Sequence, residues 1–198
     1  MNDHRKGWMM ALRTFLAVVL VLCSHMTLAR TLDVNLSSDT AEFRFGMNPS
    51  AQGRLGNSEL DLGVIFTTDD DVLGVLGLQV IGDTGSRSPG LKAGVGVRLF
   101  GGSTDRGNDF LVISLGGSLR YNPPFLDRLD LRAYINYAPK IVSFMDADNF
   151  SYYGVRAGYE IMQEALVYVG YRRIELGPAK GSDETLDSGM NIGVEFYF

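Results

Sequence analysis

The chain has 198 residues, 45% of them hydrophobic and 21% charged, with a formal net charge of −5. That balance excludes a disordered chain, and no apolar run reaches the roughly 18 residues a transmembrane helix needs. The acidic balance also excludes a nucleic-acid partner, which would want clustered Lys and Arg.

Residues 1–29 read as an export address. Arg5, Lys6 and Arg13 make a basic start, residues 15–22 are an unbroken apolar run, and Thr27, Leu28 and Ala29 form a cleavage triplet with small ends. This is the layout of a secretory signal peptide cut after Ala29. Leu22 stands before Cys23 where lipidation would need a small residue, so no lipid anchor is expected. Residues 30–198 then form one domain of 169 residues with 15 basic and 22 acidic side chains. His4, His25, Cys23 and Trp8 all fall in the leader, which leaves the mature chain without histidine, cysteine or tryptophan. No disulfide and no Ser–His or Cys–His site can be built from it, so no catalytic activity is expected.

From residue 30 onward the chain alternates with a period of two, the mark of a strand with one apolar and one polar face. Leu32, Val34 and Leu36 flank Asp33 and Asn35, and Phe43, Phe45 and Met47 flank Arg44 and Gly46. Leu60, Leu62, Val64 and Phe66 alternate with Asp61 and Gly63, and Leu76, Leu78 and Val80 with Gly77 and Gln79. The pattern continues from Leu91 to Leu99, from Leu111 to Tyr121, from Leu129 to Tyr137, from Tyr153 to Ile161, from Ala165 to Tyr171 and from Met190 to Phe198. Turn-forming clusters separate these ten segments, among them Asn122, Pro123 and Pro124 and the stretches 82–90, 101–108, 146–149 and 177–183. No helix is expected.

Antiparallel strands with one apolar face suit either a soluble sandwich or a membrane barrel with its apolar face turned to lipid. The segments are about ten residues long, the length of a tilted membrane-crossing strand. Aromatics such as Tyr121, Tyr137 and Tyr171 gather at their ends, and ten glycines fall on the polar faces, where a small barrel needs room and curvature. The expected fold is an all-β antiparallel transmembrane barrel of about ten strands, with eight as the alternative.

The C-terminus adds a specific resemblance. Asn191, Gly193, Phe196 and Phe198 fill the four places of the assembly signal of bacterial outer-membrane barrels. The last strand must be captured by the barrel-assembly machinery before closure, which gives such a signal a physical role. A narrower resemblance rests on residues 95–100 (VGVRLF), 115–121 (LGGSLRY), 132–139 (RAYINYAP) and 167–176 (VYVGYRRIEL). In these stretches the chain resembles the YfaZ family of small outer-membrane proteins. That resemblance implies a barrel with no established catalytic residues.

The polar faces carry seven acids (Asp33, Glu42, Glu59, Asp61, Asp130, Glu160 and Glu195) and seven bases (Arg44, Lys92, Arg98, Arg120, Arg132, Arg156 and Arg172). Buried charges need partners, so the match predicts cross-strand pairing in the lumen, with Arg156 and Glu160 and Arg132 and Asp130 as first pairs to consider. Such a lumen is either a packed, blocked network or a narrow polar channel. Parity puts the acidic segments at Asp39, Asp69–Asp71, Asp105, 146–148 and 180–184 outside the cell. Oxygen ligands there could take divalent cations, and Arg173 would face a lipid phosphate.

The expected function is therefore that of a small porin-like or structural envelope barrel. The alternative is a surface protein binding lipopolysaccharide, divalent cations or a host through its acidic loops. Expected partners are outer-membrane lipid and lipopolysaccharide and, during biogenesis, the barrel-assembly machinery and periplasmic chaperones. The protein is expected to be monomeric, with no cofactor, metal or nucleic acid.

Overall fold

The computed structural model describes residues 30–47, 57–69, 71–85, 88–103, 109–145, 147–178 and 184–198. The expected leader, Asp70, Asp105, Asp146 and residues 179–183 lie outside these. The strands are β1 (Arg30–Ser37), β2 (Thr40–Met47), β3 (Ser58–Thr67), β4 (Val72–Asp83), β5 (Leu91–Ser103), β6 (Asp109–Tyr121), β7 (Leu129–Ala138), β8 (Ser143–Met145), β9 (Ala147–Met162), β10 (Ala165–Pro178) and β11 (Glu184–Tyr197).

Strand β1 is antiparallel to β2 on one side and to β11 on the other, with Leu32 opposite both Phe45 and Phe196. The sheet thereby closes into a ring of ten strands, not eight. Closure removes sheet edges and satisfies the backbone within the wall, the condition for crossing a bilayer with strands. The short β8 is an addition to the ring. It pairs with Phe110–Val112 of β6, beyond the point where β7 has ended, and a single 3-10 turn at Lys140–Val142 leads into it.

All ten alternating segments are strands, and several run further than the alternation showed. Gly82 and Asp83 extend β4, residues 101–103 extend β5, and β9 begins at Ala147. At the end that carries both termini, here called the terminal end, two turns are tied together. Gly90 has φ of +83°, a left-handed conformation, and the Asn122 carbonyl lies where a Cβ would stand. The Asn122 N–H donates to the Gly90 carbonyl at 2.9 Å.

The alternation sorts side chains to the two faces of the wall. Along β11, Asn191, Gly193 and Glu195 are buried inside while Ile192 and Phe196 are exposed outside. The same outward row includes Leu78, Val97, Ile113, Leu115, Ile135, Val155 and Val169, all exposed apolar residues. An apolar outer belt around a closed barrel with a charged interior is the arrangement of an outer-membrane protein, and the bilayer is what covers that belt.

Candidate functional site

The lumen is layered, and the layers differ in chemistry. At the far end, opposite the termini, it is filled by Ile65, Leu73, Val75, Phe100, Phe110, Val112, Phe150, Ile174, Leu176 and Leu186. Phe100, Phe150 and Val112 have no exposed surface. Phe150 packs on Phe100 at 4.6 Å between ring centroids and on Phe110 at 6.1 Å. The alternation predicts a polar lumen, but its far end is an apolar core, because the inward positions of β3 to β6 and β9 to β11 are apolar near that rim.

Beneath this plug lies a buried ion network. The Arg172 guanidinium, fully buried, donates from Nε to Asp187 at 2.6 Å and from its two terminal nitrogens to Glu42 and Thr40. Asp187 reaches the lumen through a bulge. The β10–β11 register shifts between Ile174 and Glu175, so consecutive residues Leu186 and Asp187 are both buried. Leu186 joins the plug and Asp187 takes the arginine. Arg44 pairs with Glu42 and donates to the Tyr152 hydroxyl at 2.7 Å, which links this network to the aromatic layer above.

Towards the terminal end, three arginines stand in register on adjacent strands. Arg120 lies opposite Arg132, and Arg132 opposite Arg156. Like charges placed so would repel, and carboxylates are interleaved between them. Asp130 accepts from Arg120 at 2.6 Å and from Arg132 at 2.5 Å. Glu195 bridges Arg132 at 2.9 Å and Arg156 at 3.1 Å. Arg156 also donates to Asp33 at 2.7 Å, and the Tyr168 hydroxyl donates to the same carboxylate at 2.6 Å. On the other wall Arg98 donates to Asp61 at 3.1 Å.

The partners of Arg156 are thus Asp33 and Glu195 rather than Glu160. Glu160 sits half-exposed on β9 near the terminal rim, and Lys92 is exposed there beside Arg120 in the ladder. Glu59 is half-buried near the same mouth. Among the described residues, no three acidic side chains converge in a metal-binding arrangement.

The polar part of the lumen encloses a cavity of about 330 Å³ lined by Asp33, Asn35, Asp61, Gln79, Arg98, Arg156 and Tyr197, among others. Arg172 has no exposed side-chain surface, Arg44, Arg98, Arg132 and Arg156 are nearly buried, and Arg120 is 32% exposed.

A family model described as YfaZ precursor matches residues 9–198. The chain belongs to the YfaZ family. No curated protein matches it in sequence. Among solved structures, this YfaZ-family barrel is similar to the KdgM porin, at 10% identity and a TM-score of 0.46 over 86% of this chain and 99% of that one. It is also similar to the NanC porin, at 11% identity and 0.40 over 86% and 99%. The outer membrane protease OmpT from Escherichia coli is matched at 13% identity and 0.40 over 86% and 93%.

The structure places Asn191, Gly193 and Phe196 on β11 and Phe198 directly after it. Asn191 and Gly193 face the lumen, while Phe196 and Phe198 are 40% and 73% exposed. Gly193 has a further role that its sequence position did not reveal. The Tyr168 ring lies over it, and a Cβ there would meet the ring and the Val34 carbonyl. The layered lumen and the bulge at Leu186 also escaped sequence reasoning.

Proposed function

We propose that this protein is a non-conducting structural barrel of the outer membrane, its lumen a charge-paired cup open to the periplasm and shut towards the cell exterior. The observation that carries the reading is the far-end core around Phe100 and Phe150, whose side chains leave no exposed surface in the lumen. A hydrated ion would have to shed its water to pass such a layer, a cost that dry apolar walls do not offset. The orientation follows the general rule for bacterial barrels, with both termini of an even-stranded ring on the periplasmic side. No catalytic role is assigned. Residues 1–29 act as the cleaved leader, and Asn191, Gly193, Phe196 and Phe198 act as the signal read by the assembly machinery. The surrounding partners are outer-membrane lipid and lipopolysaccharide, and the barrel is a monomer.

Planar-bilayer recording tests the reading. Wild-type protein is expected to stay silent, and Phe100→Ala combined with Phe150→Ala is expected to give discrete openings. Wild-type channels whose ion selectivity changes on Arg98 or Arg132 substitution would overturn closure in favour of passive transport.

A further inference from the structure

On β10, Arg172 and Ile174 are buried in the lumen, so Arg173 and Glu175 point out of the wall, 39% and 34% exposed. Arg173 stands opposite Tyr153 on β9 and Ser188 on β11, and Glu175 stands opposite Ser151 on β9. The two ladders thus gather a polar patch on an outer wall whose belt is apolar.

Its level in the membrane follows from the strands that carry it. On the terminal side of the patch the outward residues are Val169 on β10, Val155 on β9 and Ile192 on β11, all exposed and apolar. Tyr171 and Tyr153 come next, the aromatic step that marks a lipid–water boundary. Arg173 is eight residues on from Ala165, which pairs with Phe196 near the terminal end. At roughly 3.3 Å per residue and a tilt near 40°, it lies about 20 Å up the membrane normal. From there an arginine side chain reaches the top of an apolar band about 25 Å tall. With the far end towards the cell exterior, that is the headgroup level of the lipopolysaccharide leaflet.

The patch has donors left over. Glu175 is engaged on both oxygens: Oε1 lies 2.6 Å from Arg173 Nη2, and Oε2 accepts from the Ser151 hydroxyl at 3.1 Å. That contact orients a guanidinium with five N–H groups, more than one carboxylate oxygen can take. The Tyr171 and Ser188 hydroxyls lie 3.1 Å apart, and a single hydrogen bond between two hydroxyls leaves one O–H unspent. A guanidinium fork beside a hydroxyl donor suits the oxygens of a phosphate. A phosphomonoester carries nearly two negative charges and a phospholipid diester one, so the monoester is the stronger guest at the same fork.

We propose that Arg173, Tyr171 and Ser188 form a docking site for a phosphomonoester of the lipid anchor of lipopolysaccharide, lipid A, with Glu175 and Ser151 holding the guanidinium in place. The site deepens the partner reading above and rests on the orientation given there. It does not rest on closure of the lumen, so channels in wild-type protein would leave it standing.

The full chain, refolded in detergent micelles, is titrated with diphosphoryl lipid A, with lipid A stripped of its phosphates and with phosphatidylglycerol. Native mass spectrometry counts the lipid bound. Saturable binding of one diphosphoryl lipid A is expected, with the stripped form and phosphatidylglycerol each at least tenfold weaker. Arg173→Gln is expected to weaken binding at least tenfold, and Arg120→Gln, inside the lumen near the terminal end, to leave it unchanged. Absence of saturable binding would overturn the proposal, as would equal affinity for the two forms of lipid A. Phosphatidylglycerol bound as tightly as lipid A, or more tightly, would assign the patch to phospholipid and overturn it as well. So would a folded Arg173→Gln variant that binds like wild type, or an equal loss in Arg120→Gln. Heat-modifiable gel migration checks the fold of each variant, and the three wild-type titrations decide the matter even if neither folds.

Discussion

Arg156 Nη1 donates to Asp33 Oδ2 at 2.7 Å, joining side chains 123 positions apart in the chain. Asp33 is on β1 and Arg156 on β9, so the bond reaches over β11 and β10, past the seam where the first and last strands meet. Glu195 of β11 takes the other arm of the same guanidinium at 3.1 Å. The closing seam is therefore held from inside by charge as well as by the backbone ladder.

Depth should decide what each arginine is worth. Arg156 is 14% exposed with two carboxylate partners, and its truncation to Met would leave Asp33 with the Tyr168 hydroxyl but no ion-pair partner and Glu195 with Arg132 alone. The expected cost is about 3–5 kcal/mol. Arg120, 32% exposed near the mouth, stays hydrated, and Arg120→Met should cost about 1 kcal/mol or less. Urea unfolding of the two variants in lipid vesicles measures both. Equal small costs would mean a lumen wet throughout.

Arg172 is a test of geometry rather than of charge. Its three nitrogens donate to Asp187 on β11 and to Glu42 and Thr40 on β2. Lysine keeps the charge but offers one compact ammonium, which cannot reach all three. Arg172→Lys is expected to destabilise the barrel by about 2–3 kcal/mol, the scale of a lost hydrogen bond to a charged group. Unfolding midpoints of wild type and variant provide the comparison, and an unchanged midpoint would show that charge alone suffices.

Much of the wall was legible in the sequence because each strand separates two environments, lipid outside and polar lumen inside. Asp33 between Leu32 and Val34, or Glu195 between Val194 and Phe196, carries that contrast in adjacent residues. The far-end core was not legible for the same reason. Phe100, Phe110 and Val112 share the inward face with Arg98 and Ser114, yet their outward neighbours Leu99, Leu111 and Ile113 are apolar too. Where both faces are dry the period of two disappears. The partners of Arg156 were hidden differently. Residues four apart on a strand are about 13 Å apart by the strand rise, so Glu160 is out of reach, and only the closed register shows Asp33 to be near. The Leu186 bulge breaks the alternation at the point where two consecutive side chains turn inward.

The C-terminal residues separate assembly from stability. Phe198 follows the last ladder pair, Tyr197 with Thr31, and is 73% exposed. Its deletion is expected to reduce outer-membrane insertion sharply in cells while leaving export, and the unfolding midpoint of refolded protein, close to wild type. Gly193→Val should lower both, because the added side chain meets the Tyr168 ring. Normal insertion without Phe198, scored by heat-modifiable gel migration of membrane fractions, would remove the assembly role.

Whether the lumen opens at one end only can be read by sided thiol labelling. In a Cys23→Ser background, Ser118→Cys places a thiol in the cup, and Ile141→Cys places one at the far end, where the native side chain is 86% exposed. Each protein is reconstituted into sealed vesicles and treated from outside with a small charged methanethiosulfonate. The fraction of Ile141→Cys that reacts counts the barrels with the far end outward. Ser118→Cys is expected to react only in the remaining fraction, so that the two add to the whole. Reaction of Ser118→Cys in barrels of both orientations would mean that the lumen is open through the far end, and would contradict it.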